Sequence, residues 1–317
     1  MDIREQRTLF SEILKGYSYI FFDNQKLVVK HPNYNLIAET DSLYKGFYEQ
    51  AIKNKIPAEK EKLETLKKNG QWDEKYEKAL LESIEMIRGL ETTKKTLFLE
   101  SQIEEFNKQI RKEEANYKSI LLRKMKLLGL TAEAYTHNKI NGEYLFQSVY
   151  LNEQPFFTRK KFENLDEEEY RELEEKYNEV KNRFNVRNVQ ILALSHFIQN
   201  LFYLSNDSIW DFYGKPVVDL TIYQEELLKY CRYFKNILSQ QEIPDEMRSD
   251  PEKVIESYVT GKNLQEIVEK SKDAKNLSIP GAKSKDLKKV GIENSRIGDL
   301  VGKIKKDGKS GVNLKDI

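Results

Sequence analysis

From Asp73 to Leu128 the chain contains no proline and one glycine, Gly89, and this stretch limits the fold more than any other feature of the sequence. Proline and glycine are the strongest helix breakers. In their near absence, apolar residues recur at helical spacing. Trp72, Tyr76, Leu80, Ile84 and Ile87 form one stripe; Ile103, Phe106, Ile110, Tyr117 and Leu121 form a second. The positions between them are mostly Glu and Lys. As one straight helix the stretch would extend roughly 80 Å at 1.5 Å per residue. A narrow apolar stripe on so long a helix needs a partner, and the nearest partner is the chain itself. The spacing therefore predicts an antiparallel helical hairpin over 73–128, turning near Phe98 to Gln102.

The rest of the composition agrees with long solvated helices. Charged residues make up 33% of the 317 and apolar residues 39%, against about a quarter and nearly a half in average globular chains. The 53 basic and 52 acidic residues leave a net charge of +1, which excludes a basic field over the whole chain of the kind nucleic-acid binders carry. Cys231 is the only cysteine, so an internal disulfide and a multi-cysteine zinc site are excluded and a reducing compartment fits. The opening Met1-Asp2-Ile3-Arg4-Glu5 lacks the basic and apolar regions of a signal peptide. No run of about 18 apolar residues offers a membrane span. The longest apolar stretch, Val189 to Leu204, is punctuated by Gln190, Ser195, His196, Gln199 and Asn200, and reads as a buried core within one helix from Val186 to Leu204.

Local signals place the other elements. Leu9, Phe10, Ile13 and Leu14 cluster on one face of a short first helix that Gly16 ends. Tyr17 to Phe22, a turn at Asp23-Asn24-Gln25 and the Val-rich Lys26 to Lys30 read as the chain's one β-hairpin, closed by His31-Pro32-Asn33. Residues 35–54 read as a helix, and another runs from Pro57 to Gly70. Asp73 and Thr131 suit helix starts. Asp166 with Glu169, and Thr221 with Gln224, match capping boxes. Pro251 opens a last helix to about Lys270. From Ser271 onward there are 12 basic and 6 acidic residues, recurrent glycines and no aromatic residue. Such a composition cannot bury enough surface to offset chain entropy, and predicts a disordered basic tail. The expected fold is mainly α: a helical domain with a long charged antiparallel helical hairpin, one small N-terminal β-hairpin and a disordered C-terminal tail. Its segments are an N-terminal α+β segment (1–72), the hairpin (73–128), a C-terminal helical domain (129–270) and the tail (271–317).

Candidate chemistry is sparse. Gly308-Lys309-Ser310 has the ending of a phosphate-binding P-loop, but position 303 is Lys and no apolar strand precedes it. His31, His137 and His196 show no paired-ligand spacing. A Cys231–His196 pair is conceivable, though a buried structural cysteine and a core or interface histidine fit the apolar surroundings better. The acidic clusters at 166–169 and 172–175 suit a helix N-terminus and a solvated face more than a cation. No catalytic residue, metal or cofactor is expected from these patterns.

The most informative segment runs from Ile209 to Thr221. Gly214 can take a positive φ, Pro216 fixes an extended chain and Thr221 restarts a helix. Trp210, Phe212 and Tyr213 put a large aromatic area on this elbow. Burial tendency makes them core anchors, with Trp210 sealing the reversal; the alternative is an interface hot spot. The candidate interface residues are Trp210, Phe212, Tyr213, Gly214, Lys215 and Pro216.

The elbow resembles a segment in helical proteins of large tailed bacteriophages. Those carry an aromatic residue, then Gly-Lys-Pro, then an apolar-Asp-Leu-Thr run, then Gln and Leu on the following helix. The corresponding residues here are Trp210, Gly214, Lys215, Pro216, Asp219, Leu220, Thr221, Gln224 and Leu227. The layout of 17–245 is also similar, with a β-hairpin, Trp72-Asp73 and a long Glu/Lys hairpin. The long basic tail departs from the shorter endings of that group. The resemblance implies a non-enzymatic structural or assembly protein working in tail or baseplate assembly, in the host cytoplasm or the virion, and supplies no catalytic residue to carry over. The implied partners are other phage structural or assembly proteins, with self-association a further option, and no membrane. The alternative is an intracellular nucleic-acid-associated helical protein using the basic tail, which a basic concave face near the tail would favour. An enzyme would need a pocket joining His196 and Cys231.

Overall fold

A computed structural model describes residues 1–97, 100–244 and 246–273. The Gly308-Lys309-Ser310 motif and all but the first three residues of the expected tail lie outside these. The chain is mainly helical with a small antiparallel sheet, as the periodicities indicate, and divides into two compact units: residues 1–66 with 128–253, and 67–127 with the chain from 254. The N-terminal segment and most of the C-terminal helical region, separate in sequence, thus share one unit.

In that first unit, helix α1 (Ile3–Lys15) starts at an Asp2–Glu5 capping box and stops at Gly16, whose φ of +77° a side chain would strain. Strands β1 (Tyr17–Phe22) and β2 (Gln25–Lys30) pair with Tyr17 opposite Lys30. Asp23 and Asn24 both take positive φ, the geometry of a two-residue hairpin turn. The hairpin is not alone. Strands β3 (Val149–Leu151) and β4 (Gln154–Pro155) extend it to a four-stranded sheet in the order β1-β2-β3-β4, with Val29 opposite Val149. Three- and two-residue strands are too short to show a period of two, and Pro155 alone reads as a helix stop.

Helices α2 (Tyr34–Ser42) and α3 (Tyr44–Lys53) replace the single helix expected over 35–54 and pack with α7 (Ala132–Ser148). Helix α4 (Glu59–Lys68) begins beyond Pro57. Helix α7 carries a buried carboxylate, Glu143. Both its oxygens accept from Arg159 on α8 (Arg159–Glu163), at 2.6 and 2.8 Å. Helix α9 (Glu167–Arg183) starts at the Asp166–Glu169 capping box, which gives the acidic cluster a structural role.

The apolar stretch 186–204 is a correction. It forms two helices, α10 (Val186–Leu194) and α11 (His196–Leu204), broken where Ser195 is extended at ψ 139°. The Ser195 hydroxyl donates to the Leu192 carbonyl, competing with helix continuation. Helix α10 packs on α13 (Ile222–Gln240), whose start is the Thr221–Gln224 capping box. Between α11 and α13 lie the five-residue α12 (Ile209–Tyr213) and a 3-10 turn, Val217–Asp219.

The second unit holds the expected antiparallel hairpin, α5 (Glu74–Lys94) and α6 (Glu100–Leu128). Its register is fixed by cross-helix bonds. Arg123 donates to the Tyr76 hydroxyl, Ser83 to Glu113, and Lys94 to Asn107. Each step forward along α5 meets a step backward along α6. Trp72, 1% exposed, anchors the open end by donating to Glu77, which also pairs with Lys124 at 3.1 Å. Helix α14 (Pro251–Asp273) joins toward the other end, where Glu256 accepts from Lys94 and Asn107.

Candidate interaction site

The elbow follows from four local choices. Ser208 caps α12 by accepting from the Asp211 amide. Gly214 ends the helix in the left-handed region at φ +68°, its amide donating to the Trp210 carbonyl at 2.7 Å. Pro216 holds the chain extended, and Thr221 opens α13. The helix end, extended proline and helix restart expected here are therefore all present.

What seals it is different. Tyr213 is buried and its hydroxyl donates to the Gln224 carbonyl at 2.8 Å; burial pushes its pKa well above the ordinary value and keeps it a donor. Phe212 packs edge-on against Phe202 at 5.7 Å and also meets Phe10 and Tyr213. Trp210, expected to seal the turn, is 61% exposed. The reason is angular. At 3.6 residues per turn, Trp210 lies roughly 200° around α12 from Phe212, so a helix that buries one presents the other to water. Lys215 is half-buried; burial lowers its ammonium pKa, with Asp219 opposing the shift. Gly214 and Pro216 are exposed and contribute backbone geometry.

The residue that sequence reading underused is Gln224. It is fully buried, and its side-chain amide donates to the Ile13 and Leu14 carbonyls at 2.8 and 3.0 Å, at the end of α1. Its side-chain oxygen accepts from Thr221 N and its carbonyl from Tyr213. The capping pattern signals the Thr221 bond; nothing local signals the bonds to Ile13 and Leu14, which cross more than two hundred positions. A further clip is provided where β2 ends. The Pro32 carbonyl accepts from Ile222 N, and Tyr34 donates to Glu225 at 2.5 Å.

Beneath the clip is a polar strut. Arg183 donates to Glu12, which accepts from Ser18, whose oxygen lies 2.9 Å from His31 Nε2. The Ser18 hydroxyl donates its one hydrogen to the carboxylate, so His31 Nε2 carries a hydrogen and Nδ1 is a buried acceptor without a partner among the described residues. The ring packs edge-on against Phe184 and Tyr223, which stack on each other at 4.4 Å. Burial, reinforced by the charges of Arg183 and Lys215, lowers its pKa to about 3. The order acid–serine–histidine is not the one that activates a nucleophile, where the base stands between the other two. Cys231 is fully buried with its thiol pushed up to about 12 by burial, whereas His196 is exposed beside Asn200. The structure does not bring these two to a common surface.

Several large apolar residues in the elbow and at the end of α11 are exposed. Besides Trp210, Tyr203 is 73% exposed, Leu204 78% and Val218 70%, with Leu201 and Val217 also in water. A groove of 660 Å³ adjoins it, lined by Ile209, Val217, Leu228, Arg232 and Tyr233 among others. Asp207 links the two areas. It pairs with Lys235 at 2.7 Å, its carbonyl accepts from Arg232, and Lys235 also lies over the Tyr203 ring. Among the described residues, no group of His, Cys, Asp and Glu is arranged to hold a metal, and no helix is long and apolar enough to cross a membrane. No protein-family model, curated protein or solved structure matches the chain.

Proposed function

We propose that this chain is a non-enzymatic structural or assembly protein of a tailed phage, acting through protein–protein contacts in tail or baseplate assembly, in the host cytoplasm or the virion. The observation that supports this reading is the exposed apolar face on the segment that carries the phage resemblance. Trp210, Val217 and Val218 lie in water although the same short segment buries Phe212 only partly and Tyr213 and Leu220 well. Exposed apolar side chains gathered on one short segment are what an association site requires. An exposed tryptophan flanked by aliphatic residues has the composition of an interface centre. The long charged hairpin suits the same role, since its outer faces are solvated and carry both signs.

Mass spectrometry of purified particles and of tail intermediates from producing cells tests this reading. The expected result is co-purification of the chain with structural proteins in fixed proportion, in the particle or in an intermediate. Recovery only as a free protein, or only with cellular enzymes, would contradict it.

A further inference from the structure

We infer that the first partner of the elbow face is a second copy of this chain, joined about a two-fold axis. The inference rests on the reading of that face as an association surface and names its occupant. Three features of the face support self-pairing. First, it carries both halves of a fit. Trp210 projects from α12, and its chain neighbour Ile209 lines the 660 Å³ groove with Val217, Leu228 and Tyr233. A two-fold axis duplicates such a pairing, so that each copy's indole enters the other's groove; the same patch then serves on both sides.

Second, the rim carries both signs. Lys229, Arg232 and Glu225 all line the groove. A patch that meets itself must contain its own complement. A rim of one sign would repel its copy and would select a partner of opposite charge. Third, the area is of the right order. Whole aromatic side chains cover about 150–250 Å² each, so the exposed parts of Trp210 and Tyr203 leave on the order of 250 Å² in water. Leu201, Leu204, Val217 and Val218 enlarge this to several hundred, and a stable dimer takes about 800 Å² from each copy, the remainder coming from a polar rim.

Sedimentation equilibrium of the full chain is the test, with circular dichroism to confirm folding. The wild type should show a reversible monomer–dimer equilibrium in the micromolar range. Trp210→Glu and, separately, Val218→Glu should each weaken it by at least about tenfold. Both positions are exposed, so either variant reads the interface if the other fails to fold. Leu122→Glu with Met125→Glu, exposed residues on α6, should leave the equilibrium unchanged. A chain that stays monomeric at about 100 μM, or a dimer that survives both elbow variants or is lost with the α6 pair, would overturn the inference. A monomer whose elbow variants still fail to enter assemblies would refute self-pairing and leave the assembly reading standing. A dimer lost with the elbow variants, from a chain found in no particle or intermediate, would support self-pairing and refute the assembly reading.

Discussion

The Tyr213 hydroxyl donates to the Gln224 carbonyl at 2.8 Å, and through that bond the elbow is tied to the first turn of the helix that follows it. Gln224 carries the tie onward to Ile13 and Leu14. The elbow helix thus commits Tyr213 to the core, while Trp210, one turn before it, is left to water.

Substitutions at the two residues should separate accordingly. Tyr213→Phe removes one buried hydrogen bond and should cost about 1 kcal/mol. Trp210→Ala should shift stability by no more than about 0.5 kcal/mol, the range of ordinary surface changes. Urea denaturation measures both. A loss of roughly 3 kcal/mol at Trp210, the size of a core truncation, would place the indole inside.

Gln224→Leu should be the more damaging change, because the Ile13 and Leu14 carbonyls and the Thr221 amide each lose a partner in a buried setting. A cost of about 2–3 kcal/mol is expected. Amide exchange should report faster opening at the end of α1, although that helix lies more than two hundred residues away in sequence. Unchanged exchange there would show that the bonds to α1 do not hold it.

Acid should weaken the fold through His31. In the unfolded chain the ring takes up a proton near its ordinary pKa of 6.5; in the folded chain it does so only near about 3. Between those values the unfolded state binds more protons, so stability falls as pH falls from about 6.5 toward 3 and is untouched above 6.5. Glu143, held below its ordinary range chiefly by its bonds from Arg159, adds loss at the acid end as it protonates. Melting temperature against pH should decline across this window in the wild type and more shallowly in His31→Phe. Equal slopes would remove His31 as the cause.

The hairpin register gives a distance. Spin labels at Glu82 and Ser119 should lie within about 25 Å, since packed helix axes are about 10 Å apart and the labels add their own length. A continuous helix would put them roughly 55 Å apart at 1.5 Å per residue.

How much of this was legible follows from the range of the signals. The hairpin was readable because Trp72 to Leu121 repeats its apolar spacing over many turns, and the Asp166 and Thr221 capping boxes because each is complete within four residues. The break at Ser195 was not, because Val186 to Leu204 keeps apolar composition across it and one hydroxyl decides the outcome. Strands β3 and β4 carry too few residues to show a pattern. At the elbow, Gly214 and Pro216 announced a turn and Ser208 a helix start, but which aromatic residue faced inward depended on Phe10, Phe202 and the Gln224 carbonyl, which lie on other elements.

Iodide quenching of tryptophan fluorescence tests the division of the elbow most directly. The chain has two tryptophans, with Trp72 buried and Trp210 exposed. In dilute protein the emission should separate into a protected and a quenchable component, and Trp210→Phe should remove the quenchable one. When the chain associates, that component should become protected and shift to shorter wavelength. Two protected tryptophans in the dilute chain, or a Trp210 that stays quenchable in the assembled state, would contradict the account.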